Sequence, residues 1–317
     1  MPPEHGGGDM GDWSDGWWTT ADGLRLHYRD YAGTEGARPP IVCIPGLTRN
    51  ARDFEGVADR LKGQWRLICV ELRGRGQSDH AKDPMTYLPP VYWQDVEALI
   101  AQLGLERFIL FGTSLGGLIT MLLAMADNKR IAAALLNDIG PALEPKGLEH
   151  IRSYVGRSQS WPTWLHAARF LREAQSDRYP DWDIGRWLVY AKRLCRLTPG
   201  GRIVFDYDMR IAEPFRAPGG DTGFDLWTAF AGLKGVPSLV VHGEISDLLS
   251  PATVKRMLAE NPAMDAVTVP RVGHAPTLDE PEAAAAIDRL LGRVLRYGTS
   301  PSSVPTQDER EGTDRSS

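Results

Sequence analysis

The chain has 317 residues, of which 42% are hydrophobic and 24% charged, and its formal net charge is −5. That length and balance suit a soluble globular protein able to bury a large core, as one big α/β domain or two small ones. The acidic balance argues against nucleic acid as a partner and against a basic membrane-docking face. No run nears the roughly 18 consecutive apolar residues that membrane insertion would need.

Residues 1–12 are polar and Gly-rich and read as a disordered head. They lack the basic start and apolar stretch of a signal peptide, so a cytoplasmic location is expected. The three cysteines, Cys43, Cys69 and Cys195, show no paired spacing and fit reduced, packed thiols. Strands are predicted at 24–31, 41–44, 67–71, 108–111, 132–137, 238–241 and 266–269. Helical patterns fall at 51–61, 90–103, 115–126, 251–260 and 281–295. Pro90, Pro251 and Pro281 each stand near a helix start, where a missing N–H costs nothing. Such alternation implies a mostly parallel sheet with helices on both faces. The polar stretch 298–317 reads as a disordered tail.

One interval breaks the rhythm. Residues 141–233 hold amphipathic stretches at 148–155, 162–174, 184–197 and 224–233 and no convincing buried strand. The predicted division is therefore a core of 13–140 with 234–297 and a helical cap of 141–233. Five of the ten tryptophans fall in the cap: Trp161, Trp164, Trp182, Trp187 and Trp227. Trp161, Trp164 and Trp187 are candidates to line an apolar substrate pocket, although aromatic stripes on helices more often serve packing. Arg152, Arg169, Arg172, Lys192 and Arg193 could pair with an acidic substrate, but helices of this length normally carry solvated arginines.

The most informative segment is Gly112-Thr113-Ser114-Leu115-Gly116. It follows the apolar run 108–111 and opens the apolar helix 115–126, which reads as strand, sharp turn and helix with a serine at the apex. A serine hydroxyl needs a base in hydrogen-bond reach, and the base needs an acid to orient it. Of seven histidines, only His274 combines a sheet-edge loop after the last strand with flanking Gly273 and Pro276. The favoured acid is Asp247, in the loop after the strand 238–241. Glu244 in the same loop and Asp138 at the end of the strand 132–137 stay open as alternatives. The turn Arg73-Gly74-Arg75-Gly76 lacks the context of a phosphate loop and reads as structural. No His/Cys/carboxylate cluster has metal spacing, and no metal or cofactor is expected.

The order Ser114, Asp247, His274 is the nucleophile, acid, base order of α/β-hydrolases, and the chain resembles that family from about Trp18 to Leu295. Ile44-Pro45-Gly46-Leu47-Thr48 is similar to its oxyanion loop, with Pro45 where histidine is common. Glu71 to Asp79 resembles its Arg-Gly-x-Gly-x-Ser turn, and Glu280-Pro281 resembles the start of its last helix. The acid loop departs by one residue: Gly243-Glu-Ile-Ser-Asp247 where Gly-x-x-Asp is frequent. The resemblance implies an eight-stranded, mostly parallel twisted sheet with helices on both faces and a cap inserted late. It also implies an oxyanion hole from the backbone N–H groups of Leu47 and Leu115. The implied activity is hydrolysis of a carboxylic ester or lactone of a small, apolar or aromatic substrate through an acyl-enzyme. A carbon–carbon bond hydrolase, an acyltransferase and a non-catalytic ligand-binding member remain open. So do a monomeric and a homo-oligomeric state.

Overall fold

A computed structural model describes residues 13–34, 38–216 and 225–298. The predicted disordered head lies outside the described residues, as does the predicted tail beyond Gly298. Eight strands form one sheet among the described residues: β1 (Ser14–Thr19), β2 (Arg25–Tyr31), β3 (Ile41–Ile44), β4 (Leu67–Glu71), β5 (Phe108–Thr113), β6 (Ile131–Asn137), β10 (Ser238–Gly243) and β11 (Met264–Val269). Their order is β1-β2-β4-β3-β5-β6-β10-β11. The pairs β1–β2 and β2–β4 are antiparallel and the rest parallel. Only β1 was not expected. Its Asp15 and Gly16 are poor strand formers, and it is held by a full register against β2.

Central strands read as unbroken apolar runs because both faces are covered. Val42, Ile44, Ile68, Val70 and Leu110 pack to one side, while Ile41, Cys43, Leu67, Cys69, Ile109 and Phe111 pack to the other. The covering helices are α1 (Glu55–Leu61), α2 (Pro89–Gln102), α3 (Leu115–Asp127), α9 (Pro251–Glu260) and α10 (Pro281–Gly298). All three cysteines are free and buried, and burial pushes the Cys195 thiol up to about 12. Among the described residues no helix is long and apolar enough to cross a membrane.

Between β6 and β10 the chain leaves the sheet. This insertion holds α4 (Pro145–Tyr154), α5 (Trp164–Gln175), α6 (Ile184–Leu194), α7 (Glu213–Arg216) and α8 (Leu226–Ala231). It is not purely helical as expected. β7 (Ser160–Trp161), β8 (Cys195–Leu197) and β9 (Ile203–Phe205) form a small antiparallel sheet in the order β7-β9-β8. Strands of two or three residues are too short to leave a periodic signal, and the amphipathic pattern that predicts a helix over 184–197 runs through β8.

The junction of β5 and α3 sets the position of everything above the sheet. A Cβ on Gly116 would lie 1.9 Å from the Ile44 carbonyl oxygen, and one on Gly112 would lie 2.4 Å from that of Gly116. Without side chains at these two points, α3 can start against the ends of β3 and β5. Gly116→Ala is therefore expected to destabilise the fold by about 2–3 kcal/mol, read as a lower denaturant midpoint at unchanged slope.

Candidate active site

Ser114 is the single residue between β5 and α3. Its backbone sits at φ 51°, ψ −113°, a left-handed-side conformation that costs a non-glycine residue about 1–3 kcal/mol. Its N–H donates to Asn137 O at 3.1 Å, and its carbonyl accepts from the N–H groups of Gly117 at 2.9 Å and Leu118 at 3.2 Å. Residues 115–124 are all buried, so α3 has no freedom to relax the turn. The hydroxyl is left on the wall of a cavity.

His274 lies on the loop after β11. Its Nε2 is 2.9 Å from Ser114 Oγ, and its Nδ1 is 2.8 Å from Asp138 Oδ2. With the proton on Nδ1, the ring donates to the carboxylate and accepts from the hydroxyl. Two insertion residues brace this loop: Gly273 N–H donates to Arg178 O at 2.7 Å, and Tyr179 OH donates to Ala275 O at 2.9 Å. Asn137 Nδ2 adds a bond to Pro276 O at 2.8 Å.

The carboxylate on His274 is thus Asp138, and not Asp247 as expected. Asp138 is fully buried at the end of β6 with φ 52°. Its Oδ1 accepts from Gly243 N–H at 2.8 Å, and its Oδ2 accepts from Ser246 Oγ at 2.6 Å as well as from His274. Asp138 stands at the end of β6, the strand next to β5, and the loop after β10 fixes its carboxylate with Gly243 and Ser246, whereas Asp247 is drawn toward the insertion, where Asp247 Oδ2 pairs with Arg178 Nη2 at 3.0 Å and faces His150 Nδ1 at 3.3 Å. Burial works to raise the Asp247 pKa, but Arg178, helped by His150 and His274, holds it below the ordinary carboxylate value. Glu244 is exposed and accepts from Arg271 N–H at 2.7 Å.

Across from Ser114, the loop after β3 carries Leu47. Neither Leu47 N–H nor Leu115 N–H donates a hydrogen bond among the described residues. The Leu47 carbonyl is gripped by the fully buried Arg75, whose Nε and Nη2 donate at 2.8 and 2.6 Å. Arg73 from the same turn is forked onto Asp95 at 2.6 and 2.7 Å and onto Asp22 at 2.9 and 3.0 Å. The glycine-rich turn therefore spends its cations on holding loops in place, as its structural reading implied.

The cavity has a volume of about 400 Å³, the size of a small-molecule site. No tryptophan lines it among the described residues. Trp161 packs against Phe170 and Phe205, and Trp187 against Tyr179, Trp182 and Tyr190. Trp164 lies partly buried against the same apolar cluster. This corrects the expected role of Trp161, Trp164 and Trp187: the largest side chains fill the space behind the wall. The wall itself presents Tyr154, Phe170, Tyr179, Tyr190, Phe205 and Tyr207. Burial raises the pKa of Tyr154, Tyr179 and Tyr207, which keeps these hydroxyls neutral.

Among the described residues four arginines also line the cavity, Arg49, Arg157, Arg178 and Arg193, against the single carboxylate of Asp53. Of the five basic residues weighed in the sequence, only Arg193 is among them. Arg49 was findable, since it closes the loop that begins at Gly46. Arg157 and Arg178 sit in irregular segments of the insertion that carry no pattern. No group of His, Cys, Asp or Glu that could hold a metal occurs among the described residues.

The profile of the alpha/beta hydrolase family matches residues 41–287, and the chain belongs to that family. The chain is 36% identical over 265 residues to the 3-hydroxybutyrate-oligomer hydrolase of Cupriavidus necator, covering 81% of this chain and 89% of that one. It is 26% identical over 241 residues to the 2-(acetamidomethylene)succinate hydrolase of Mesorhizobium japonicum, covering 76% and 83%. A crystal structure of an alpha/beta hydrolase from Novosphingobium aromaticivorans superimposes with a TM-score of 0.87 at 60% identity, covering 90% of this chain and all of that one.

The Asp247–Arg178 pair has a measurable signature. A lowered folded-state pKa means that its stabilisation is complete above the unfolded carboxylate value of about 3.9 and drains away as the pH falls through the lower folded value. Asp247→Asn leaves Arg178 buried and unpaired, so it should cost about 3 kcal/mol at neutral pH. Melting curves taken from pH 7 downward should show that deficit shrinking only on the acid side of about pH 4.

Proposed function

We propose that this hydrolase is a serine esterase that cleaves a small carboxylic ester through an acyl-enzyme on Ser114. The hydrogen-bonded chain from Ser114 Oγ through His274 to Asp138, with links of 2.9 and 2.8 Å, carries this reading. Ser114 Oγ attacks the ester carbonyl as His274 Nε2 takes its proton. Asp138, whose other bonds to Gly243 and Ser246 fix its carboxylate, steadies the imidazolium. The carbonyl oxygen becomes an oxyanion between the free N–H groups of Leu47 and Leu115, each worth about 3 kcal/mol to the transition state. The tetrahedral intermediate collapses, and His274 gives its proton to the departing alkoxide. A water, deprotonated by His274, then releases the acyl group by the reverse of these steps.

The substrate class that fits best is a short ester of a hydroxy acid. The relative from Cupriavidus necator is named for oligomers of 3-hydroxybutyrate, whose units are joined by ester bonds and end in a carboxylate. The lining supports such a polar, anionic substrate better than the apolar or aromatic one expected from the tryptophans, because arginines outnumber carboxylates on it.

Purified enzyme should hydrolyse p-nitrophenyl esters of short acids and linear dimers of 3-hydroxybutyrate. Ser114→Ala should lower kcat at least about 10⁴-fold with the fold intact. Full turnover by a correctly folded Ser114→Ala protein would sink the proposal. Asp138→Asn should cost about 10³- to 10⁴-fold in kcat, whereas Asp247→Asn should leave kcat within about tenfold at a temperature where the variant is folded. The opposite ranking would return the acid's role to Asp247.

A further inference from the structure

Three of the four arginines on the cavity wall are already committed. Arg49 Nε donates to both oxygens of Asp53 at 2.9 and 2.8 Å, and its Nη1 donates to Tyr190 OH at 2.7 Å. Arg178 pairs with Asp247 at 3.0 Å, and Arg193 pairs with Asp279 at 2.8 Å. Arg157 differs from them. Among the described residues its guanidinium has no carboxylate, hydroxyl, carbonyl or ring partner, and it is exposed while lining the same cavity as Ser114. The sole carboxylate on the wall among the described residues, Asp53, is held by Arg49, so no described wall residue neutralises Arg157.

Its backbone is nonetheless well fixed. Arg157 follows α4, and its N–H donates to Tyr154 O at 3.2 Å. Gly156 before it adopts φ 75°, and the Gly156 N–H donates to Tyr207 OH at 3.3 Å. Tyr154 and Tyr207 are themselves wall residues, so the loop that carries Arg157 is tied to the wall on both sides. A fixed backbone presenting an unpartnered planar fork of donors is suited to one ligand chemistry, a carboxylate taken in two parallel hydrogen bonds.

Building on the esterase reading, we infer that Arg157 binds the free carboxylate of the substrate and thereby selects hydroxy-acid esters that carry one. Arg157 would hold the acid end while Ser114 attacks the ester carbonyl elsewhere in the same molecule. The other three arginines, tied to their carboxylates, shape the wall and contribute less to charge selection.

The test uses the full chain and two probes of nearly equal size that differ in charge: the linear dimer of 3-hydroxybutyrate as the free acid and as its primary amide, which adds no second ester bond. The readout is the ratio of kcat/KM for the acid to that for the amide, which cancels any general loss of activity. Arg157→Gln should lower this ratio about 10- to 30-fold, mainly through KM for the acid. Arg157→Lys should recover part of it, since the charge returns without the fork. Added salt should narrow the ratio in the unmodified enzyme and leave it flat in Arg157→Gln. A ratio unchanged by Arg157→Gln overturns the inference. Calorimetric binding of the free acid to Ser114→Ala and to Ser114→Ala/Arg157→Gln separates this from a failure of the chemistry. A weaker Kd in the double variant supports the anchor even if no ester is turned over, and equal Kd values or no binding by Ser114→Ala overturn it.

Discussion

Everything at the mouth of the cavity depends on the chain reversing from β5 into α3 at one residue. The φ of 51° at Ser114 is unfavourable in isolation, and it persists because the surroundings leave no alternative. α3 is buried along its first ten residues, and Gly112 and Gly116 bring its start into contact with the ends of β5 and β3. The same packing leaves the Leu115 N–H without an acceptor among the described residues and directs the hydroxyl of Ser114 toward the cavity. Strain, open donor and cavity-facing hydroxyl are three results of one backbone constraint.

A second layer of constraint comes from buried charge. Arg75 is spent on the Leu47 carbonyl, Arg73 on Asp95 and Asp22, and Arg178 on Asp247. Removing either member of such a pair would strand its partner in a poorly hydrated place. The insertion meets the core through apolar side chains in both core clusters and through ion pairs, with Arg52 on Asp206, Arg193 on Asp279 and the exposed pair Arg271–Asp181 adding to Arg178 on Asp247. The ion pairs are directional, so they set where the insertion stands as well as that it stays.

Those features were unevenly legible in the sequence. The strand, turn and helix around Ser114 could be read because each is a local pattern, and His274 could be read because glycine and proline mark its loop. The acid could not be settled in the same way. Asp138 and Asp247 follow neighbouring parallel strands, and which carboxylate meets His274 and which meets Arg178 is set by contacts distant in sequence that no local pattern records. The strand β1 was hidden because pairing with β2 overrides the poor propensity of Asp15 and Gly16. The cavity wall was misread for a different reason. Tryptophans draw attention by size, but size sends Trp161 and Trp187 into the space behind the wall, and the wall itself carries tyrosines, phenylalanines and arginines.

The placement of Asp138 has a mechanical consequence. Ser114 and Asp138 extend adjacent strands, β5 and β6, and are locked in register by Thr113 facing Asn137 and by the bond from Ser114 N–H to Asn137 O. The spacing between serine and carboxylate is therefore a ladder dimension, as stiff as the sheet. Only the imidazole between them rides on a loop, and that loop is clamped by Arg178 and Tyr179 of the insertion. The assembly is a rigid gauge with one loop-borne member, and the insertion holds that member in place. The segment that walls the cavity thus also fixes the imidazole between the hydroxyl and the carboxylate beneath it.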